Sequence, residues 1–194
     1  MNVYDFDKTV FVGDTEERFF AYVFKKPGFF FDKVKYHVLE KLYQWKLIPR
    51  TPCREMQYRF LKKIDDIDSL LEAYWDENEK YMMSWYLKAK RPDDIIATGT
   101  PAFLMLPILK RLELTELSAT DMDKKTGKIH GQFAIGPHKV TVFGEKYRLE
   151  DIDNFYSDAY SDHFLAEYAK AAFLVTGDGE MTEWNEYFST HPKK

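Results

Sequence analysis

Asn2-Val-Tyr-Asp5-Phe-Asp7-Lys-Thr9 opens the chain, and the fold is decided by what that stretch does. Asn2 to Phe6 reads as a short strand. It stops at polar and small residues, Asp7-Lys-Thr9 and then Gly13-Asp-Thr15. Residues 16–90 then read as helical. Val34, Val38, Leu42 and Trp45 recur at helical spacing, as do Met56, Phe60, Ile64, Ile67 and Leu71. Trp75, Asn78, Met82 and Trp85 continue a more polar helix, and Pro27-Gly28 and Pro49 to Pro52 separate these segments. The texture changes after Arg91-Pro92. Asp94 to Thr98, Leu117 to Thr120, Asp153 to Ser157 and Ala172 to Val175 read as strands. Helices are expected over Phe103 to Leu112 and His163 to Lys170, and Lys128 to Ile135 is expected to return as a hairpin from the turn Asp123 to Gly127. Strands alternating with helices predict an α/β protein with a mostly parallel sheet. Its core comprises residues 1–14 and 91–194, and a helical insert spans residues 15–90.

The composition excludes several classes. The chain has 194 residues, enough for one domain with an insertion. With 28 Lys and Arg against 32 Asp and Glu, it lacks the basic excess of a nucleic-acid binder, and no nucleic-acid partner is expected. The one cysteine, Cys53, precludes an intrachain disulfide, and no histidine close in sequence marks it as a nucleophile. The first residues have neither the basic nor the apolar region of a signal peptide. The longest apolar run, Ala102 to Leu109, is broken by Pro107 and is far short of the roughly 20 residues that span a bilayer. A soluble, cytoplasmic protein is expected, with oligomeric state left open.

In an open parallel sheet, ligands collect at the carboxyl ends of the strands. Asp5, Asp7 and Thr9 come after the first strand, Thr98 and Gly99 end the second, Lys139 comes after the hairpin, and Asp158 and Asp162 after the next strand. Carboxylates gathered at one sheet edge repel one another unless a cation neutralises them. The set suggests a hard divalent ion, Mg²⁺, and an ion beside a lysine suits a small phosphorylated substrate. Taken singly, Asp5 and Asp7 also fit a solvated loop or a helix cap, Lys139 a solvated surface lysine, and Asp162 an N-cap. His130 and His138 read as structural or solvated, as do Asp121 and Asp123 at their turn.

Together these residues resemble the motifs of the haloacid dehalogenase (HAD) superfamily. Asp5-Phe-Asp7-Lys-Thr9 is similar to its DxDxT motif, and Ile95-Ile-Ala-Thr98-Gly-Thr-Pro to its second motif. Gly136-Pro-His-Lys139-Val is similar to the lysine-bearing third, and Asp158-Ala-Tyr-Ser-Asp162 to the fourth. The order is the family's, and a helical insert between the first two motifs fits its phosphoserine-phosphatase-like branch. The resemblance implies a Rossmann-like three-layer core with a helical-bundle cap. It implies a Mg²⁺-dependent phosphatase in which Asp5 is the nucleophile and Asp7 the general acid and base. It places the metal on Asp5, the Asp7 carbonyl and Asp158, with Asp162 supporting through water or Lys139. Thr9, Thr98, Gly99 and Lys139 would hold the phosphoryl group. Dehalogenases of the superfamily attack carbon and lack the second aspartate, so Asp7 favours phosphate chemistry.

The match is incomplete where the substrate is read. Asp14 stands where phosphoserine phosphatases carry a glutamate at the start of the insert, and Thr176-Gly-Asp178 replaces their Asn-Pro-Asp. Serine phosphate is therefore in doubt, and Asp14, Arg54, Arg59 and His37 are candidate substrate contacts. Aromatic residues make up 17% of the chain, and 17 of them lie in residues 15–90, with 15 Lys and Arg against 12 Asp and Glu. The favoured reading is that these rings fill the interior of a small helical cap. Alternatively, Phe24 to Lys33, rich in lysine and phenylalanine, meets an amphiphilic substrate at a membrane surface, as a peripheral lipid-phosphate phosphatase would. A catalytically silent binding protein on the same scaffold is the third reading.

Overall fold

Six strands form one sheet in the order β3-β2-β1-β4-β5-β6 in a computed structural model that describes residues 1–177 and 179–191. They are β1 (Asn2–Tyr4), β2 (Ile95–Pro101), β3 (Glu116–Thr120), β4 (Asn154–Ser157), β5 (Ala171–Thr176) and β6 (Glu180–Glu183). The first five run parallel, and β6 pairs antiparallel with β5. The chain passes from β1 to β2 and β3 on one side, then returns to β4 on the other. The strand order therefore reverses between β1 and β4, the kind of crevice where ligands bind in such sheets.

Side-chain alternation along the strands builds three layers. Tyr4 and Ile96 face one way, onto Leu104, Met105 and Ile108 of α6 (Ala102–Arg111). Val3, Ile95, Ala97 and Phe155 face the other way. There they meet Phe143 of α7 (Pro137–Gly144), Leu165 of α8 (His163–Ala166) and Trp184 of α9 (Trp184–Thr190). Asp178 lies outside the described residues.

Between β1 and β2 come α1 (Thr15–Phe24), α2 (Phe30–Gln44), α3 (Arg50–Gln57), α4 (Ile67–Asn78) and α5 (Ser84–Ala89). Asp14 caps α1 by accepting from Glu17 N, and Asp66 caps α4 by accepting from Ser69 N. Most rings of this segment are buried or partly buried. Phe19, Phe20, Tyr58, Phe60, Tyr74 and Trp75 are buried and join Phe6, Phe11 and Leu104 in one continuous cluster. Trp75 Nε1 donates to Leu104 O at 2.7 Å, tying α4 to α6. Phe30, Phe31 and Trp45 are exceptions, exposed on or just after α2, and Val34 and Val38 are exposed with them.

Several expectations need correction, among them the helix expected over His163 to Lys170, which ends at Ala166. β1 ends at Tyr4 because the Phe6 carbonyl turns away to accept from Thr9, Val10 and Phe11 N. The hairpin after Asp123 shrinks to a single bridge, Met122 with Ile129, flanked by Asp123 N to Lys128 O and His130 N to Asp121 O, and the turn and return arm also bond to the helical insert. Ile129 N donates to Glu55 Oε1 at 3.1 Å, and Lys124 Nζ lies 2.6 Å from Asp68 Oδ1. α7, β6 and α9 have no counterpart in the sequence reading. Glu180 to Glu183 forms an edge strand with no buried face, so it lacks the alternation that marks a strand.

Candidate active site

A loop of unusual turn density comes directly after β1. The Phe6 carbonyl accepts three backbone N–H groups, and Lys8 takes a positive φ of 60°. This coil holds Asp5 and Asp7 at the crevice and brings Thr9 back beneath it. Asp158 N, just after β4, donates to Thr9 Oγ1 at 2.9 Å, fixing one side of the crevice to the other.

Asp5 is buried, and its two oxygens have different surroundings. Oδ1 accepts from Lys139 Nζ at 2.6 Å. Oδ2 lies 3.4 Å from Thr9 Oγ1, which is also 3.5 Å from Asp158 Oδ1. Lys139 is buried in the first turn of α7, after Gly136 with φ 53° and Pro137 at the helix start. Its ammonium also donates to Asp162 Oδ2 at 2.6 Å, and Ser157 Oγ donates to the same oxygen at 2.8 Å. Burial pulls the Lys139 pKa down, but Asp162 and Asp5 more than offset it and raise it above the ordinary lysine value. Burial pushes the Asp5 carboxyl up, against the pull of Lys139.

The Asp7 carboxylate is held by other partners. Oδ1 accepts from Thr15 N at 2.6 Å and Thr15 Oγ1 at 2.5 Å, and Oδ2 accepts from Thr100 Oγ1 at 2.8 Å. Burial, with Asp14 adding to it, pushes its pKa up to about 7 against these hydrogen bonds. A carboxyl in that range can both give and take a proton near neutrality.

β2 breaks register with β3 between Ala97 and Pro101, and Thr98 and Gly99 sit in that irregularity. Thr98 is buried, and its Oγ1 accepts from Thr100 N at 3.2 Å. A Cβ on Gly99 would come 2.7 Å from Ile135 Cγ2, so only glycine lets the loop before α7 approach this closely.

These residues border one open cleft of about 660 Å³. Asp5, Asp7, Thr98, Gly99, Lys139, Asp158 and Asp162 all line it, and Thr9 lies behind them. Asp14 and Arg54 line its far wall. Arg59 is exposed on the 3₁₀ segment Tyr58–Lys63 and does not line the cleft, because its neighbours Tyr58 and Phe60 take the buried positions. His37 is exposed on α2 and is likewise absent from the lining.

The sequence reading missed part of the wall. Glu16 is buried, lies 3.6 Å from Arg54 and accepts from the Tyr58 hydroxyl at 2.7 Å. Burial pushes its carboxyl up, against Arg54 and Tyr58. The Arg50 and Arg54 guanidinium carbons lie 5.4 and 5.9 Å from the Phe133 ring centroid, which stiffens this side of the cleft. Glu16 was visible as one turn-start acid among several, but nothing local signalled which one the insert would bury.

The donor set fits a hard cation. Lys139 is one ammonium facing two carboxylates at 2.6 Å, while burial, only partly opposed by Lys8, raises the Asp158 pKa. The crevice is thus short of positive charge around Asp5 Oδ2 and Asp158. Among the described residues no cluster of three or more His, Cys, Asp or Glu side chains forms a metal cage. One or two carboxylates completed by water and phosphate oxygens is the usual mode for Mg²⁺. Asp162 is committed to Lys139 and Ser157, and the Asp7 carboxylate to Thr15 and Thr100. Of the four aspartates considered for the metal, Asp5 and Asp158 are therefore the two with a loosely held carboxylate oxygen, 3.4 and 3.5 Å from Thr9 Oγ1.

Residues 3–167 match the family of haloacid dehalogenase-like hydrolases. The chain belongs to that family. Solved structures agree on the fold of this HAD-like hydrolase. A Bordetella pertussis Tohama I protein of unknown function superposes with a TM-score of 0.79 at 18% identity, covering 98% of this chain and 95% of that one. A phosphoserine phosphohydrolase-like protein from Francisella tularensis gives 0.55 at 16%, covering 91% and 88%. A substrate-bound phosphoserine phosphatase gives 0.53 at 16%, covering 88% and 82%. No curated protein matches the chain.

Proposed function

We propose that this HAD-like hydrolase is a Mg²⁺-dependent phosphatase that hydrolyses a small phosphomonoester through an aspartyl-phosphate on Asp5. One observation carries the reading: two aspartates two residues apart, one buried and one half-buried, are held in opposite ways. Asp5 is paired with Lys139 and shares the Thr9 hydroxyl with Asp158, whereas Asp7 is gripped by Thr15 and Thr100 with its pKa near neutrality. The first suits a nucleophile and the second a proton carrier. The family match and the phosphoserine phosphatase neighbours support the same chemistry.

A carboxylate oxygen of Asp5 attacks phosphorus, the bond to the leaving oxygen breaks, and Asp7 gives that oxygen its proton. Asp7 then takes a proton from water, which attacks the same phosphorus and releases Asp5 and inorganic phosphate. Lys139 balances charge on Asp5 and the phosphoryl oxygens, while Asp162 and Ser157 fix its ammonium. Thr98 and Gly99 supply hydroxyl and N–H groups beside it. Asp5, Asp158 and the Asp7 carbonyl would hold Mg²⁺, which neutralises phosphoryl charge when bound.

The test is hydrolysis of p-nitrophenyl phosphate with Mg²⁺. Chelation is expected to abolish turnover, and Asp5→Asn to lower kcat by about 10³-fold or more with the thermal transition retained. Turnover that survives Asp5→Asn would exclude the mechanism.

A further inference from the structure

The outer face of α2 is not used by the fold. Phe30 (68% exposed), Phe31 (79%), Val34 and Val38 lie along it, and Trp45 (67%) and Leu47 (64%) continue the face past its end. At 100° per residue, Phe30, Val34, Val38 and Trp45 form one stripe, with Phe31 at its edge. The opposite face of the helix does the packing, through buried Leu39 and partly buried Tyr36. An apolar strip of this length on the surface of a protein normally has something to meet.

The charges around it are sorted. Residues 25–47 contain six lysines and two acids. Both acids turn toward the body of the protein. Asp32 accepts from Lys63 Nζ at 2.6 Å, and Glu40 accepts from Gln57 Nε2 at 2.6 Å. Lys33, Lys35, Lys41 and Lys46 are exposed. The outward face is therefore apolar and cationic, with its carboxylates withdrawn.

We propose that α2 docks in the plane of an anionic phospholipid surface, with Phe30, Phe31 and Trp45 entering the headgroup boundary and the lysines meeting lipid phosphates. Aromatic and aliphatic residues on one face with lysines beside them are the composition of an interfacial helix. Each lysine near an anionic leaflet adds attraction that salt screens. A second copy of the chain is a poorer occupant. Pairing this face with itself would set lysines against lysines with no outward acid between them. The position also favours a lipid surface. Pro49, Arg50 and Thr51 line the catalytic cleft, and they begin two residues after Leu47. Docking would bring the mouth of the cleft close to the headgroups. The surface stands on its own geometry, whether or not the phosphatase reading holds.

Sedimentation with vesicles tests this directly, using the full chain. With equimolar phosphatidylglycerol and phosphatidylcholine, the protein is expected to pellet at low salt. It is expected to stay in solution with phosphatidylcholine alone or at high salt. Phe31→Ser with Trp45→Ser changes two exposed side chains and is expected to lower partitioning about tenfold or more. Lys35→Glu with Lys41→Glu is expected to do the same on anionic vesicles only. Both variants should keep the thermal transition and the turnover of a soluble aryl phosphate. Absence of pelleting on anionic vesicles would overturn the proposal. So would partitioning unchanged in both double variants. A dimer in sedimentation velocity that Phe31→Ser with Trp45→Ser dissolves, without vesicle binding, would assign the face to self-association instead.

Discussion

At the scale of single residues, the site is organised by one buried ammonium. Lys139 Nζ lies 2.6 Å from both Asp5 Oδ1 and Asp162 Oδ2, and all three side chains are nearly closed to solvent. Removing the cation strands two carboxylates in a low-dielectric pocket. Lys139→Met is therefore expected to destabilise the fold by about 3–5 kcal/mol, read by urea unfolding, besides abolishing turnover. A variant as stable as the parent would show that the pair is already solvated. The residues of the Asp5, Asp7, Thr98, Lys139 and Asp158 set could be read from the sequence because each ends or succeeds a strand in a recognisable order. Their partners could not. Thr15 and Thr100 grip Asp7 only because the coil after β1 and the irregularity in β2 fold them onto it, and spacing predicts neither. Glu16 is selected by its contacts with Tyr58 and Arg54, 42 and 38 positions away, so local reading favoured Asp14. Both proved to line the cleft, Asp14 as a helix cap and Glu16 as a buried acid.

At the scale of elements, the strand–helix alternation of the core was most legible where a strand is buried along its length, as over Ile95 to Thr98 of β2. β6 was not, since an edge strand with no buried side carries no pattern. The return arm after Gly127 was misread for a related reason. Its sequence has the turn of a hairpin, and Asp123 N to Lys128 O and His130 N to Asp121 O pair its first residues, but Ile129 N donates to Glu55 of the helical insert. The irregularity in β2 is the element on which the site most depends, because it lets Thr98 and Gly99 face the cleft while Ile135 passes close by. Gly99→Ala would place a methyl 2.7 Å from Ile135 Cγ2 and push the loop before α7 outward, taking Lys139 with it. The expected outcome is a loss of about 1–3 kcal/mol in stability. Because catalytic positions tolerate little displacement, kcat should fall about 10²-fold with the fold intact. Unchanged kinetics would mean that Ile135 can yield without moving α7.

At the scale of the whole molecule, the insert and one face of the sheet share a single apolar cluster running from Phe60 and Trp75 through Phe6 to Leu104 and Ile108. The sequence reading places a helical insert over residues 15–90, but does not show that its aromatic residues join the core of the sheet. The two parts should consequently unfold together, in one transition seen alike by tryptophan fluorescence and circular dichroism. The turn at Gly127 helps to lock them. It has φ 72°, and a Cβ there would lie 2.5 Å from Tyr58 Cβ and 2.9 Å from the Tyr58 backbone. Gly127→Ala is expected to loosen the insert and lower the transition temperature, whereas a second, separate transition in the parent protein would contradict the shared core. The central claim is that Asp5 carries the phosphoryl group, and trapping it is the most direct measurement. Borohydride added during turnover reduces an acyl phosphate to an alcohol, and peptide mass spectrometry locates the product. Conversion of residue 5 from aspartate to homoserine, dependent on substrate and Mg²⁺ and absent in Asp5→Asn, is the predicted result. Active turnover with residue 5 unmodified, or with the modification at another carboxylate, would contradict it.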